Sequence, residues 1–91
     1  MDLDPWKLAF RIGWDRHFKD FDKGVRETIL KKLDKMKEPL QGRGLQASRY
    51  QVEEAGQYRI AFVQDNELRT KDIHFIGNHK QYEKWFRTLP L

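Results

Sequence analysis

Tyr50-Gln51-Val52-Glu53-Glu54-Ala55-Gly56-Gln57-Tyr58-Arg59-Ile60-Ala61-Phe62-Val63 is the stretch that decides the fold. Tyr50 and Val52 alternate with Arg49, Gln51 and Glu53. Tyr58, Ile60 and Phe62 then alternate with Arg59, Ala61 and Val63. A period of two sends successive side chains to opposite faces, so both runs read as strands. Glu54-Ala55-Gly56-Gln57 between them reads as a hairpin turn. The Tyr58–Ile60–Phe62 side is the predicted core face. Arg49, Gln51 and Glu53 share a polar face of their strand, and Arg59 points outward from the next.

Downstream, Asp65-Asn66-Glu67 marks a second turn. Leu68 to Ile76 reads as the last strand, with Ile73, Phe75 and Ile76 its apolar part. Gly77-Asn78 breaks it. His79 to Arg87 reads as a short helix or an irregular tail carrying Tyr82, Trp85 and Phe86. Upstream, Trp6, Leu8, Phe10 and Ile12 alternate with Lys7, Ala9 and Arg11, which predicts an opening strand ended by Gly13. Trp14, Phe18 and Phe21 fall at i, i+4 and i+7, one face of a short helix. Asp22 suits the N-cap of a second helix whose apolar stripe is Val25, Ile29, Leu33 and Met36, and Pro39 stops it. The two helices are predicted to form a hairpin that covers one face of a sheet. Leu40 to Leu45, with Gly42 and Gly44, is a predicted loop. The plan is α+β: a strand, a helical hairpin, a three-strand antiparallel meander and a small C-terminal helix or tail. Residues 1–91 form one domain.

Composition narrows the function. The 91 residues hold 18 Lys plus Arg and 14 Asp plus Glu, a net charge of +4. That excess permits an anionic partner without demanding one. Only 38% of residues are hydrophobic, but three Trp, three Tyr and six Phe bury much area each, enough for a small core. There is no cysteine, which excludes disulfides, thiolate metal sites and cysteine nucleophiles, and makes a reducing cytoplasm the expected compartment. Asp2, Asp4, Lys7 and Arg11 interrupt the first 20 residues, so neither a signal peptide nor a spanning helix is expected there.

No phosphate-binding glycine motif is present, since Gly42 and Gly44 lack its surroundings. His17, His74 and His79 show no metal-ligand spacing, and Ser48, the one serine, sits in no nucleophile motif. Chemistry therefore falls to general acid–base groups and fixed positive charge. The densest candidate is Gly77-Asn78-His79-Lys80-Gln81-Tyr82-Glu83-Lys84-Trp85-Phe86, where a histidine follows a strand end and aromatics follow it. Histidine is the side chain best matched to proton transfer near neutral pH. On spacing alone a surface histidine accounts for His79 equally well, and for Tyr82, Trp85 and Phe86 the plainer reading is aromatics that pin the C-terminus to the core. The second candidate is the face carrying Arg49, Gln51, Glu53 and Arg59, where an arginine fork can clamp a phosphate. A solvated sheet face with cross-strand Arg–Glu pairs is the plainer reading of that pattern. The lysines of the second helix read either as a backbone contact for nucleic acid or as a solvated face.

The order of these elements and motifs resembles the RelE/ParE superfamily of bacterial and archaeal toxin–antitoxin toxins. The similarity spans nearly the whole length. Trp6-Lys7-Leu8-Ala9-Phe10 resembles its opening strand, and Asp22 to Leu33 its second helix. Leu40-Gln41-Gly42 with Leu45 resembles the loop before the central strands. Gln57-Tyr58-Arg59-Ile60-Ala61-Phe62 resembles its G-Y-R-h-h-h/Y strand, the most specific match. Ile76-Gly77-Asn78-His79-Lys80-Gln81-Tyr82 resembles its h-G-x-[HR]-x-x-Y ending.

The resemblance implies a cytoplasmic toxin that cleaves ribosome-bound mRNA with no metal or other cofactor, the RNA's own 2′-hydroxyl attacking the adjacent phosphate. It implies a cognate antitoxin as partner, and no membrane. Arg59 then stabilises the phosphate, His79 helps proton transfer or phosphate binding, and an aromatic, Tyr82 or Trp85, orients a base or serves as acid–base. RelE carries two lysines on the strand before the turn; Gln51 and Glu53 hold those places here, so Glu53 becomes the candidate base. Arg49, Gln51, Lys80, Lys84, Trp85 and Arg87 are the expected RNA-binding residues. The alternatives are a ParE-type inhibitor of DNA gyrase without catalysis, and an inactive homologue that only binds an antitoxin.

Overall fold

The structure is a computed structural model that describes residues 6–38, 43–44 and 50–89. Strand β1 spans Lys7–Phe10, helix α1 Lys23–Lys35 and strand β2 Arg43–Gly44. Strands β3 (Gln51–Ala55), β4 (Tyr58–Asp65) and β5 (Thr70–Asn78) follow, then helix α2 (His79–Arg87). The sheet has five strands in the order β1-β5-β4-β3-β2. β1 runs parallel to β5 and every other pairing is antiparallel. The architecture is the α+β plan expected from the sequence. No helix among the described residues is long and apolar enough to cross a membrane.

Helix α1 begins where Asp22 accepts a hydrogen bond from the Val25 amide at 2.9 Å, which satisfies one of the orphan donors of the first turn. Ile29, Leu33 and, at the C-cap, Met36 are buried at that four-then-three spacing, with Val25 packed beside them. They meet Ala55, Ile60, Phe62, Ile73 and Ile76 from the sheet. Ile73 and Ile76 share this face although three residues apart, because the β4–β5 ladder jumps from the Ala61–Phe75 pair to the Phe62–Ile73 pair. His74 is the extra residue of that bulge, and it reverses the alternation.

Three elements differ from the sequence reading. Trp14, Phe18 and Phe21 do not form a helix; the chain turns after Gly13 (φ +91°) and makes only a short 3-10 helix at Phe18–Asp20. The segment between Gly13 and the Asp22 cap is short, and its aromatic, His and Asp residues are weak helix formers, so a nucleus is not repaid. The aromatics still stack, with ring centroids 5.3 Å apart for Trp14–Phe18 and 6.4 Å for Phe18–Phe21. There is thus one long helix on this face, not a hairpin of two. The second difference is β5, which runs through Gly77 to Asn78 before the chain turns into α2. The third is β2: Arg43 and Gly44, inside the predicted Leu40–Leu45 loop, pair antiparallel with Val52 and Gln51 and add a strand to the meander. Pro39, Gly42, Leu45, Ser48 and Arg49 lie outside the described residues.

Lys71 is fully buried on the α1 face. Its Nζ lies 5.5 Å from the Trp6 ring centroid and 5.4 Å from that of Phe62, and donates to the Glu38 carbonyl at 3.4 Å. Burial lowers its pKa, Glu53 raises it and Lys32 lowers it further. Such contacts let the cation survive out of water.

Candidate functional site

The site forms where β4 begins and β5 ends. Arg59 pairs across the ladder with Gly77, and Tyr58 with Asn78. Asn78 then caps α2 with a reciprocal box: its Oδ1 accepts from the Gln81 amide at 2.8 Å, and Gln81 Oε1 accepts from the Asn78 amide at 2.8 Å. This fixes the first turn of α2 and puts His79 directly beside Arg59. Gly77 is required for space: a Cβ there would lie 2.8 Å from the Phe75 ring and 3.0 Å from Gln81 Cβ.

Arg59 Nη2 lies 3.3 Å from His79 Nδ1, and Arg59 Nη1 lies 3.3 Å from Glu54 Oε1. His79 Nε2 in turn lies 2.9 Å from Glu83 Oε1. The Tyr82 ring centroid is 6.0 Å from Arg59 Cζ. A guanidinium N–H donates only to an imidazole nitrogen that holds a lone pair. The network therefore assigns the ring proton to Nε2, where it donates to Glu83. The Arg59 side chain is 21% exposed and His79 57%, so the guanidinium is held from behind while the imidazole faces solvent. Together these groups offer a fixed cation, an imidazole, a phenol and two carboxylates on one open surface.

The structure brings Arg59, His79 and Tyr82 together and leaves Glu53 out. Glu53 pairs in register with Ile60 and Gln51 with Phe62, so both face α1. Glu53 bonds to Lys32 of α1 at 3.2 Å. This corrects the expectation that Glu53 and Gln51 share a face with Arg59. The carboxylate on that face is Glu54, its direct cross-strand partner. The two-residue turn Gly56-Gln57 sets this parity, since Ala55 pairs with Tyr58 and odd positions of β3 then oppose even positions of β4. The turn needs Gly56 at φ +62°. Sequence reasoning missed Glu54 and Glu83, although the spacing of His79 and Glu83, one helical turn apart, is a signal available once α2 is a helix.

Trp85 stacks on Phe75 with centroids 5.0 Å apart at 15°, and meets Tyr50 edge-on at 5.2 Å. It packs α2 onto the sheet, and buried Val52 lies on the same sheet face. Lys84 is exposed on the flank of α2 away from His79. Lys80 and Arg87 are exposed one heptad apart on its outer side. Arg49 is outside the described residues.

No family model matches the sequence, and no curated protein matches it. Solved structures do match the fold. A mutant of Escherichia coli toxin RelE in the free state is 18% identical with a TM-score of 0.71, covering 93% of this chain and 99% of that one. A chain of the toxin–antitoxin complex RelBE2 from Mycobacterium tuberculosis is 18% identical with a TM-score of 0.68, covering 82% and 99%. A chain of the RelB–RelE antitoxin–toxin complex from Methanococcus jannaschii is 14% identical with a TM-score of 0.66, covering 86% and 98%. The chain has the RelE-like fold.

Proposed function

We propose that this chain is the toxin of a toxin–antitoxin pair and cleaves mRNA on the ribosome through the Arg59–His79 surface. The single observation that carries this reading is the 3.3 Å approach of Arg59 to His79 on an open face, beside the Tyr82 ring. A phosphate bound there meets a fixed fork of N–H donors aimed at the charge that develops in the transition state. The RNA 2′-oxygen attacks the adjacent phosphorus; the new 2′-O–P bond forms as the P–5′-O bond breaks. Glu54, already within 3.3 Å of Arg59, takes the 2′-hydroxyl proton. When Arg59 turns to the phosphate, His79 Nδ1 is released and takes a proton; the imidazolium then delivers its Nε2 proton to the leaving 5′-oxygen, which replaces Glu83 as the partner of that nitrogen. Tyr82 offers a base a stacking face.

An antitoxin is the proposed protein partner. Leu8, Phe10, Leu30 and Leu33 line an apolar groove beside the β1 edge, with Asp34 and Lys37, paired at 3.4 Å, at its rim. Phe10 and Leu30 are each about half exposed there (45% and 51%). An amphipathic segment that lays its apolar face on Phe10 and Leu30 fits that groove.

A second reading, a toxin that does not cleave RNA, draws on the Glu54–Arg59 ion pair, because that carboxylate competes with a phosphate for the guanidinium. It covers a gyrase-binding toxin of the ParE type and an inactive homologue that retains only an antitoxin. The test is one preparation of purified protein assayed twice: 5′-end mapping of a translated message, and supercoiling by gyrase. New message ends support the endoribonuclease. Intact messages with inhibited gyrase support the second reading.

A further inference from the structure

A groove separate from the Arg59–His79 pair opens on the other flank of α2. At helical spacing His79, Tyr82 and Glu83 occupy one side of this helix, and Gln81, Lys84, Trp85 and Thr88 the other. The second set, with Arg16, His17 and Phe75, encloses a groove of about 340 Å³. Its floor is aromatic. Phe75 is buried and stacked on Trp85, and the His17 ring stands edge-on to Phe75 at 5.6 Å and 75°. Burial, and secondarily Arg16, lowers the His17 pKa against a smaller opposing effect of Asp20, so the imidazole presents one donor and one acceptor at neutral pH. Gln81 Oε1 is committed to the Asn78 amide, which leaves its amide nitrogen as a donor for a ligand. Arg16 and Lys84 supply two exposed cations, and no carboxylate is among the described residues that line the groove.

We propose that this groove binds one nucleotide of single-stranded RNA, its base against the half-buried Trp85 and His17 rings that Phe75 supports from beneath, and its flanking phosphates on Arg16 and Lys84. A planar ring system with polar edges matches an aromatic floor bordered by an imidazole and an amide, and stacking of this kind tolerates any base. Two exposed cations at the border of the groove suit consecutive phosphates. A strand crossing α2, about 10 Å wide, reaches this groove and the Arg59–His79 surface together. The choice of RNA as ligand rests on the function proposed above; the groove's binding is tested apart from it.

The probe is a 2′-O-methyl RNA hexamer, which lacks the attacking hydroxyl, titrated into the full chain while the Trp85 indole resonance is followed. The expected result is a saturable shift of that resonance. The Arg16→Gln/Lys84→Gln variant should bind about ten-fold or more weakly, with the salt slope of log affinity reduced by about 1.4 for two lost phosphate contacts. Because Arg16 also donates to the Gly13 carbonyl at 3.3 Å, Lys84→Glu alone serves as the second variant and should weaken binding in the same direction. Binding of both variants with wild-type affinity and salt slope overturns the proposal. So does a Trp85 shift produced by a glutamate-rich peptide and not by the hexamer, which assigns the groove to a protein partner. If the hexamer binds here while translated messages stay intact, the groove stands and the endoribonuclease reading falls. If messages are cut and both variants bind and cut like wild type, the groove proposal falls alone.

Discussion

Arg59 and His79 sit 20 residues apart in the chain, yet Nη2 of one lies 3.3 Å from Nδ1 of the other. Three local devices bring them together: the Arg59–Gly77 register pair, the missing side chain at Gly77, and the Asn78–Gln81 box that starts α2 at His79. Each device can be removed singly.

Exchanging the two neighbouring carboxylates separates the faces of the sheet. Glu54→Gln should slow cleavage by about 10²–10⁴-fold, the range for a general base. Glu53→Gln should leave cleavage near wild type and lower stability by about 1 kcal/mol, through loss of the half-buried pair with Lys32. Rates on a translated message and urea midpoints, measured for both variants, check this. Equal loss of activity in both would contradict the assignment.

Asn78→Ala should cost about 1 kcal/mol of stability through the lost cap and reduce cleavage by displacing His79. Asn78→Asp keeps an acceptor for the Gln81 amide and should restore most of both. Thermal melts beside rate measurements distinguish this from a simple loss of fold, in which activity would follow stability alone.

Gly77→Ala should destabilise by about 1–3 kcal/mol, because the added methyl meets the Phe75 ring at 2.8 Å. Phe75→Leu in the same chain should recover part of the loss. Additive losses in the double variant would contradict the proposed clash.

Lys71 predicts a pH dependence. Its folded pKa lies below the ordinary 10.5. Between those two values the unfolded chain binds more protons, so this residue makes stability rise with pH across that window. Below the folded pKa both states are protonated and its contribution is flat. Lys71→Met, similar in volume and uncharged, should remove that rise and be neutral or stabilising at pH 7. Urea midpoints from pH 7 to 10.5, taken as the difference between wild type and variant, read the effect; a difference that does not change with pH would contradict it.

Much of this was legible in the sequence. Asp22 and the Val25–Ile29–Leu33–Met36 stripe carry α1 in purely local signals, and Gly56 with its flanking alternation carries the hairpin. Arg59 beside His79 was legible as a motif order. The face of Glu53 was not. Alternation tells which residues of one strand share a face; which face is shared with the neighbouring strand depends on turn length. Polarity normally settles that, but here Val52 and Ala55 are both buried, on opposite faces, because α2 covers one side and α1 the other. The buried Lys71 defied the pattern for a related reason: a cation among apolar residues reads as surface until Trp6, Phe62 and the Glu38 carbonyl are seen around it. The 3-10 segment was misread because aromatics at helical spacing pack equally well from turns.

The most direct test of the account is the 5′-end map of a message translated with wild-type protein, His79→Ala and Arg59→Ala, each first shown to melt like wild type. The account predicts discrete new ends with wild type, appearing about 10²–10⁴-fold more slowly with His79→Ala and weaker still with Arg59→Ala. Wild-type ends undiminished in both variants, or no new ends with the wild-type protein, would contradict it.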